Sequence, residues 1–415
     1  MSVEEKAHPG AAAGTDAGAL CATSPATPPR LSHVDALRGF ALLGIVLVNA
    51  ATMAGPYGGA GPNGSLPDAV AAWLVTALAS TKFYLLFSFL FGYSFTLQMR
   101  SAEREGAGFA ARHLRRLLGL WCLGLAHAVL LFPGDILMTY AGLGLVLFAA
   151  RNVKPRTALR AAAWLAAAFG TLLLAQGLLA LVTPASQEAP VVVRDTVAAY
   201  RGSPASVVDA NLDQWRTQLA GDLLYAPHML AAFLTGLAAG GTGVFDAPVR
   251  YRARLRQCVA YGLPVGLAGS VFMAVCGNGP LEPRWSALGT AVGALTAPAL
   301  TAAYAAGLVL LLRTRAGGRL GRLLAPAGRM ALTNYLSQSL LLALVFTGYG
   351  LALYARVGAA AVVGGCLALY AAQLALSAWL LRRWRYGPVE WLLRSVTRGW
   401  TGRPVAVPGS RGAAG

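Results

Sequence analysis

The chain has 415 residues, of which 56% are hydrophobic and only 12% charged. Its formal net charge is +18, and arginine supplies nearly all of it, because lysine occurs only at Lys6, Lys82 and Lys154. That composition excludes an ordinary soluble domain. The arginines stand in short clusters between apolar runs, so the charge follows the positive-inside rule and does not describe a nucleic-acid surface.

Residues 1–29 are rich in Ala, Gly, Pro, Ser and Thr and lack an apolar h-region, which predicts a disordered tail and no signal peptide. A polar cluster, Asp35-Ala-Leu-Arg38-Gly39, then runs straight into an apolar helix that carries Asn49 about three turns later. Ten spans are predicted, near 36–54, 82–99, 115–132, 135–151, 157–182, 223–240, 257–276, 286–312, 329–353 and 359–381. Segment 68–81 is apolar but short, as expected of a helix along the outer interface. Segment 183–222, with Tyr200 and Trp215, is the longest extracytoplasmic stretch, either a lid or a connector. Residues 30–326 hold spans one to eight. Residues 327–400 hold the last two and an amphipathic tail helix, and 401–415 form a second disordered tail.

Alternate loops carry the basic residues: Arg100 to Arg116, Arg151 to Arg156, Arg250 to Arg256, Arg313 to Arg322, and Arg382 to Arg385. The intervening loops hold few. The expected fold is therefore all-α, a polytopic membrane helix bundle of about ten transmembrane helices with both termini cytoplasmic. The Ala/Gly/Arg-rich, Lys-poor composition is that of a high-GC bacterial genome, so the inner (plasma) membrane is the expected location. The five cysteines show no paired spacing, and no metal site is expected. No internal repeat is visible, which disfavours a repeat-built transporter.

With that topology the intramembrane polar groups fall into two layers. The inner layer holds Asp35, Arg38, Arg329, Asn334 and Gln338. The outer holds Asn49, His127 and Asp135, with His228 nearby. Each has a plainer reading. Asp35 and Arg38 are also an interfacial ion pair. Arg329 is also an inner-boundary anchor. Asn334 and Gln338, at i, i+4, also suit helix-to-helix hydrogen bonding. His127 also fits as a core histidine, and Asp135 as a helix cap after the Pro133-Gly134 turn. The chemical reading rests on His127 as a proton acceptor, Asp135 as the carboxylate that orients it, and Asn49 as an amide that polarises a carbonyl.

Several segments carry a family resemblance. They are Arg30…Asp35-Ala-Leu-Arg38-Gly39…Asn49, the Phe83–Gly92 aromatic run, and His127…Gly134-Asp135-Ile-Leu…Tyr140-Ala141. Gly328-Arg329-Met-Ala-Leu-Thr333-Asn334-Tyr335…Gln338-Ser339 and Arg385-Tyr386-Gly387-Pro388-Val389-Glu390-Trp391 complete the set. Over about residues 30–400 the chain resembles the YeiB-like membrane proteins that carry the DUF418 domain. Its layout is also similar to the wider transmembrane acyltransferases, including heparan-α-glucosaminide N-acetyltransferase-like proteins.

That second resemblance implies transfer of an acetyl-like group from cytosolic acyl-CoA, as co-substrate, to a small-molecule or glycan-like hydroxyl or amine acceptor. Asn49 matches the superfamily's first-span asparagine. The histidine expected in the following outer loop is missing from residues 50–67, so the base role passes to His127 or Asp135. Asp35, Arg38, Arg329, Asn334 and Gln338 would then face the donor, with arginines on the CoA phosphates; the same arginines also suit anionic lipid head groups. The lipid bilayer is the expected partner, no nucleic acid is, and a homodimer is compatible with the chain. Two other classes remain: a small-molecule transporter, whose pathway the same polar groups would line, and a non-catalytic membrane partner protein.

Overall fold

The computed structural model describes residues 32–56, 64–106, 108–183, 190–245 and 249–398. The two expected tails lie outside these residues. Among the described residues fourteen helices run in chain order: α1 Ser32–Met53, α2 Leu66–Leu78, α3 Lys82–Arg104, α4 Phe109–Leu130, α5 Leu137–Ala149, α6 Pro155–Val182 and α7 Pro190–Arg201. They continue with α8 Pro204–Thr242, α9 Arg252–Asn278, α10 Trp285–Leu311, α11 Arg315–Arg329, α12 Ala331–Phe346, α13 Ala359–Arg383 and α14 Pro388–Arg398. No strand occurs among the described residues.

Among the described residues seven runs are long and apolar enough to cross a membrane: α1, α2 with α3, α6, α8, α9, α10 and α13. Large apolar side chains such as Trp164, Leu179, Tyr261, Leu376 and Trp379 stand exposed along α6, α9 and α13. An aqueous surface would not tolerate them in such number, whereas lipid does. The protein is a polytopic helical membrane protein. Two of the expected spans, α5 and α12, are short apolar helices of 13 and 16 residues, about 20 and 24 Å long at 1.5 Å per residue. Each is less than a hydrocarbon core of about 30 Å.

The helices begin where the sequence supplies caps. Ser65 caps α2 by accepting the Asp68 N–H, and Ser203 caps α8 by accepting that of Ser206. Proline follows one or two positions later in both helices. Asp68 in turn accepts the Ala360 N–H at 2.9 Å, so α2 caps the start of α13. Within the expected loop 183–222, residues 190–201 and 204–222 are helical. After Ser203 nothing breaks the helix before Pro227, and α8 runs 39 residues through it.

Small residues set the tightest packings, as they do where helices meet in lipid. Gly92, Gly236 and Gly240 let α3 and α8 touch backbone to backbone, and Gly262 and Gly266 do so for α9 against α10, where Gly269 makes room for the Thr296 side chain. Gly39 lies on the Leu324 carbonyl and Gly328 on the Asp35 carbonyl, pressing α1 against α11. α1 is the bundle's centre, in contact with α3, α11, α12 and α13. The 326/327 division expected from the motifs falls inside α11.

Candidate functional site

Pro133 has no N–H to continue a helix, and residues 132–136 are non-helical. The last turn of α4 closes with the Leu131 and Phe132 N–H groups both donating to the His127 carbonyl at 2.9 Å. The chain then doubles back and lays Asp135 against α4. His127 Nδ1 and Asp135 Oδ1 are 2.9 Å apart, with both side chains 1% exposed. The other carboxylate oxygen, Oδ2, accepts the Met138 N–H at 2.8 Å and so caps α5. Asp135 thus serves as cap and as histidine partner at once, one role per oxygen. Gly124, one turn before His127, makes this possible: a Cβ there would press on Asp135 Oδ2 and on the Met138 backbone.

The remaining ring nitrogen, His127 Nε2, is buried without a hydrogen-bond partner. When Nδ1 carries the proton toward Asp135, Nε2 presents an unused lone pair. The His127 ring centre is 5.0 Å from that of Tyr335.

Asp135 lines a cavity of about 150 Å³, together with Asn49, Thr139, Tyr84, Asp222 and Tyr335. The first-span asparagine and the Asp135 carboxylate therefore meet at one outer cavity. His127 stands behind it and is not itself on the wall. Two breaks in helical structure border this space, Gly134–Ile136 between α4 and α5 and Ala79 with Thr81 between α2 and α3. Irregular backbone inside a membrane bundle is tolerated where it is buried or lines a cavity. Thr81 has φ 71°, a left-handed conformation that costs a β-branched residue energy.

A vestibule adjoins this cavity. Two cavities of about 220 and 400 Å³ share Arg38, Ser94, Arg116, Glu390 and Leu393 on their walls. Arg38 pairs with Asp35 at 3.0 Å and donates to Ser94. Arg116 packs over the Phe91 ring, 5.6 Å from its centre, and no carboxylate pairs with it among the described residues. Arg329 also lines this space. Ile45, Ile136 and Tyr335 border both the vestibule and the outer cavity, so the two are back to back across one layer of side chains.

Asn334 and Gln338 line neither space. Asn334 Nδ2 donates to Ser377 Oγ at 3.0 Å and to the Ala327 carbonyl at 3.1 Å. Gln338 Nε2 donates to Gln373 Oε1 at 2.7 Å, and Gln373 donates back to the Asn334 carbonyl at 3.1 Å. Here the helix-to-helix reading describes what the side chains do: they form a polar ladder between α12 and α13. His228 likewise holds other side chains in place. It accepts or donates at 2.9 Å to the Tyr84 hydroxyl and stacks on Phe169 at 4.6 Å.

Four residues at these cavities escaped the sequence reading of function. Arg116 counted only as loop charge, yet α4 begins at Phe109, and this places Arg116 two turns inside the helix. Asp222 sits within α8 at the edge of an apolar run, the one signal that marks it. Tyr84 was one aromatic among many. Glu390 accepts the Leu332 and Thr333 N–H groups at 2.7 and 3.0 Å and the Thr333 hydroxyl at 2.5 Å. It caps α12 from α14, a contact 57 residues distant in sequence to Thr333 that no local pattern discloses.

A family model described as a protein of unknown function (DUF418) matches residues 239–400. The chain is 31% identical over 398 residues to the protein YxaH of Bacillus subtilis (strain 168), covering 89% of this chain and 95% of that one. It is 30% identical over 382 residues to a 39.9 kDa protein in the amylase 3′ region of Bacillus acidopullulyticus, covering 89% and 94%. It is 26% identical over 387 residues to YeiB of Escherichia coli (strain K12), covering 88% and 95%.

Proposed function

Because the chain belongs to the YeiB-like DUF418 family of membrane proteins, and its helices set an acid–histidine pair at one cavity that backs onto an arginine-lined vestibule, we propose that it is a membrane-bound acyltransferase. It would move an acetyl-like group from cytosolic acyl-CoA to an acceptor held in the outer cavity. One observation carries this reading: the buried His127–Asp135 pair, with Nε2 unpartnered, adjoins a cavity that also holds Asn49. A histidine oriented by a carboxylate, beside an amide donor, is what acyl transfer needs for proton removal and for the developing oxyanion.

In this reading the donor enters from the vestibule. Arg38 and Arg116 would hold its phosphates by charge-assisted hydrogen bonds. Arg38 and Asn49 are eleven residues apart on α1, about 16 Å along the helix axis, a span that a pantetheine arm covers roughly. The thioester would pass the Ile45–Ile136–Tyr335 layer to reach Asn49. The acceptor's nucleophilic atom attacks the thioester carbon while His127 Nε2 takes its proton. The C–S bond then breaks, and His127 returns the proton to the leaving sulfur. Asn334 and Gln338 hold α12 to α13 and take no part. The inner membrane and a cytoplasmic vestibule belong to the same proposal, resting on the arginine-rich alternate loops.

The test is purified protein in detergent with acetyl-labelled acetyl-CoA and a membrane extract as acceptor source. Expected is release of free CoA with the label in a new product. A protein that consumes no thioester but moves a solute across proteoliposomes without any donor is a transporter, and the proposal falls.

A further inference from the structure

Helices α6 and α10 pack closely at one end and are held apart at the other. Gly177 brings α6 against the Leu288 backbone of α10, and Phe169 and Leu173 pack with Ala291 and Ala294. Nearer the arginine-rich loops the same two helices face each other across a cavity of about 420 Å³, with Ala162 and Ala166 on one wall and Pro298 and Ala302 on the other. The wall on α10 runs from Pro298 to Ala306. That is about 12 Å of helix, within one leaflet of a hydrocarbon core about 30 Å thick. Buried His228 stops the end away from the arginines. Leu159 of α6 and Cys258 of α9 also line the cavity and are exposed, so it opens between these two helices onto the lipid-facing surface.

This space offers water few partners. His228 bonds the Tyr84 hydroxyl at 2.9 Å, Thr235 donates to the Ala231 carbonyl at 2.8 Å, and Thr301 donates to the Lys82 carbonyl at 3.1 Å. Only the Cys258 thiol, a weak donor, is left among the polar wall groups. Apolar cavities stay dry, and an empty one forfeits the close packing of a protein interior. In a bilayer the filler at hand is hydrocarbon.

The mouth of the cavity is basic. Helices α6 and α9 both begin beside the end of α8: a Cβ on Gly241 would lie 3.5 Å from Pro155, and the Tyr251 hydroxyl donates to the Thr242 carbonyl at 3.1 Å. Arg156 stands three residues before Leu159 and Arg254 four before Cys258, each on the same helix face as its mouth residue. Both arginines are exposed, and neither has an ion pair among the described residues. Neither helix start carries a side-chain cap, so two positive dipole ends reinforce the arginines there. A neutral hydrocarbon would leave these charges unused, whereas a phosphate ester meets them.

We infer that this groove binds an anionic glycerophospholipid, with one acyl chain between α6, α9 and α10 and the phosphate at Arg156 and Arg254. The site is separate from the outer cavity and the vestibule, and it stands whether or not the protein transfers acyl groups.

The experiment follows alkylation of Cys258 by N-ethylmaleimide in the purified, delipidated full-length protein. Peptide mass spectrometry reads it, with exposed Cys122 on α4 as internal reference. Dioleoyl phosphatidylglycerol and dioleoyl phosphatidylcholine, which share their chains and differ in charge, are added to the detergent micelles. Phosphatidylglycerol should slow Cys258 and leave Cys122 unchanged, reaching half its effect at a mole fraction about tenfold lower than phosphatidylcholine requires. Arg156→Gln combined with Arg254→Gln should bring the two lipids within about threefold. Ala302→Trp fills the groove and should leave Cys258 unresponsive to either lipid. Equal protection by both lipids would make the groove a hydrocarbon slot without a headgroup site. No protection by either, in a comparison that needs no variant, would mean that no lipid enters. An unchanged preference in the double arginine variant would put the phosphate elsewhere, and a lipid response that survives Ala302→Trp would put the chain elsewhere. Each of these four results overturns the inference.

Discussion

The His127–Asp135 pair gives the sharpest test of how the site is built. Both side chains are 1% exposed and 2.9 Å apart, so neither can exchange its partner for water. His127→Ala strands Asp135 Oδ1, and Asp135→Asn removes the charge and turns an amide toward Nδ1. An unsatisfied buried polar group costs about 1–3 kcal/mol, more when charged, so each single variant should lose about 2–3 kcal/mol. In the double variant the histidine is gone and no buried carboxylate is stranded, while an asparagine oxygen can still accept the Met138 N–H. The double loss should fall short of the sum by about 1–3 kcal/mol, within the range of measured couplings. Equilibrium unfolding in mixed detergent micelles, fitted as a double-mutant cycle, reads this directly. Additivity within about 0.5 kcal/mol would refute a coupled buried pair.

Other expectations follow from named contacts. Gly124→Ala pushes a methyl into Asp135 and Met138 and should cost about 1–3 kcal/mol, as overpacking does; a melting temperature equal to wild type would show that α4 and α5 yield there. Gln338→Leu removes one rung of the α12–α13 ladder and should cost about 0.6 kcal/mol, the average for such bonds in a bundle, with turnover unchanged; lost turnover would return Gln338 to the site. Glu390→Gln weakens the cap on α12 and should cost about 1 kcal/mol, read as a lowered melting temperature that Glu390→Asp does not repair, because the shorter side chain cannot reach. Arg201 Nε donates to the Tyr354 carbonyl at 2.7 Å, tying α7 to the α12–α13 connection; Arg201→Ala should speed proteolysis within α7 without altering overall stability by more than about 1 kcal/mol.

Much of this was legible in the sequence because lipid imposes simple rules. Apolar runs of membrane length and clustered arginines disclosed the polytopic helical class. The Pro133-Gly134 break pointed to Asp135 at the start of the next span, and its contact with His127, eight residues earlier, comes from the chain doubling back there. Asn49 reached the expected cavity because α1 is one uninterrupted helix and its rise alone fixes the height. Asn334 and Gln338 show the limit. Their i, i+4 spacing reveals a shared face, but not which neighbour that face meets; α13 answers with Gln373 and Ser377. Asp222 and Glu390 escaped for the same reason. Each acts on a segment remote in sequence, and a single acid at the edge of an apolar run looks like any interfacial charge. The helices α7 and the first half of α8 were missed because their polar composition hid the Ser203-Pro204 start of α8.

Turnover of an acyl-CoA thioester in a matched series of purified proteins tests the proposed chemistry most directly. Wild type, Asn49→Ala, His127→Ala, Asp135→Asn and Gln338→Leu would be assayed together, each normalised to folded protein. The expected result is thioester consumption by wild type and Gln338→Leu, with a fall of at least about a hundredfold in His127→Ala, the scale of general-base catalysis, and comparable losses in the Asn49 and Asp135 variants. Consumption that persists unchanged in all three site variants, or is absent from wild type, would contradict it.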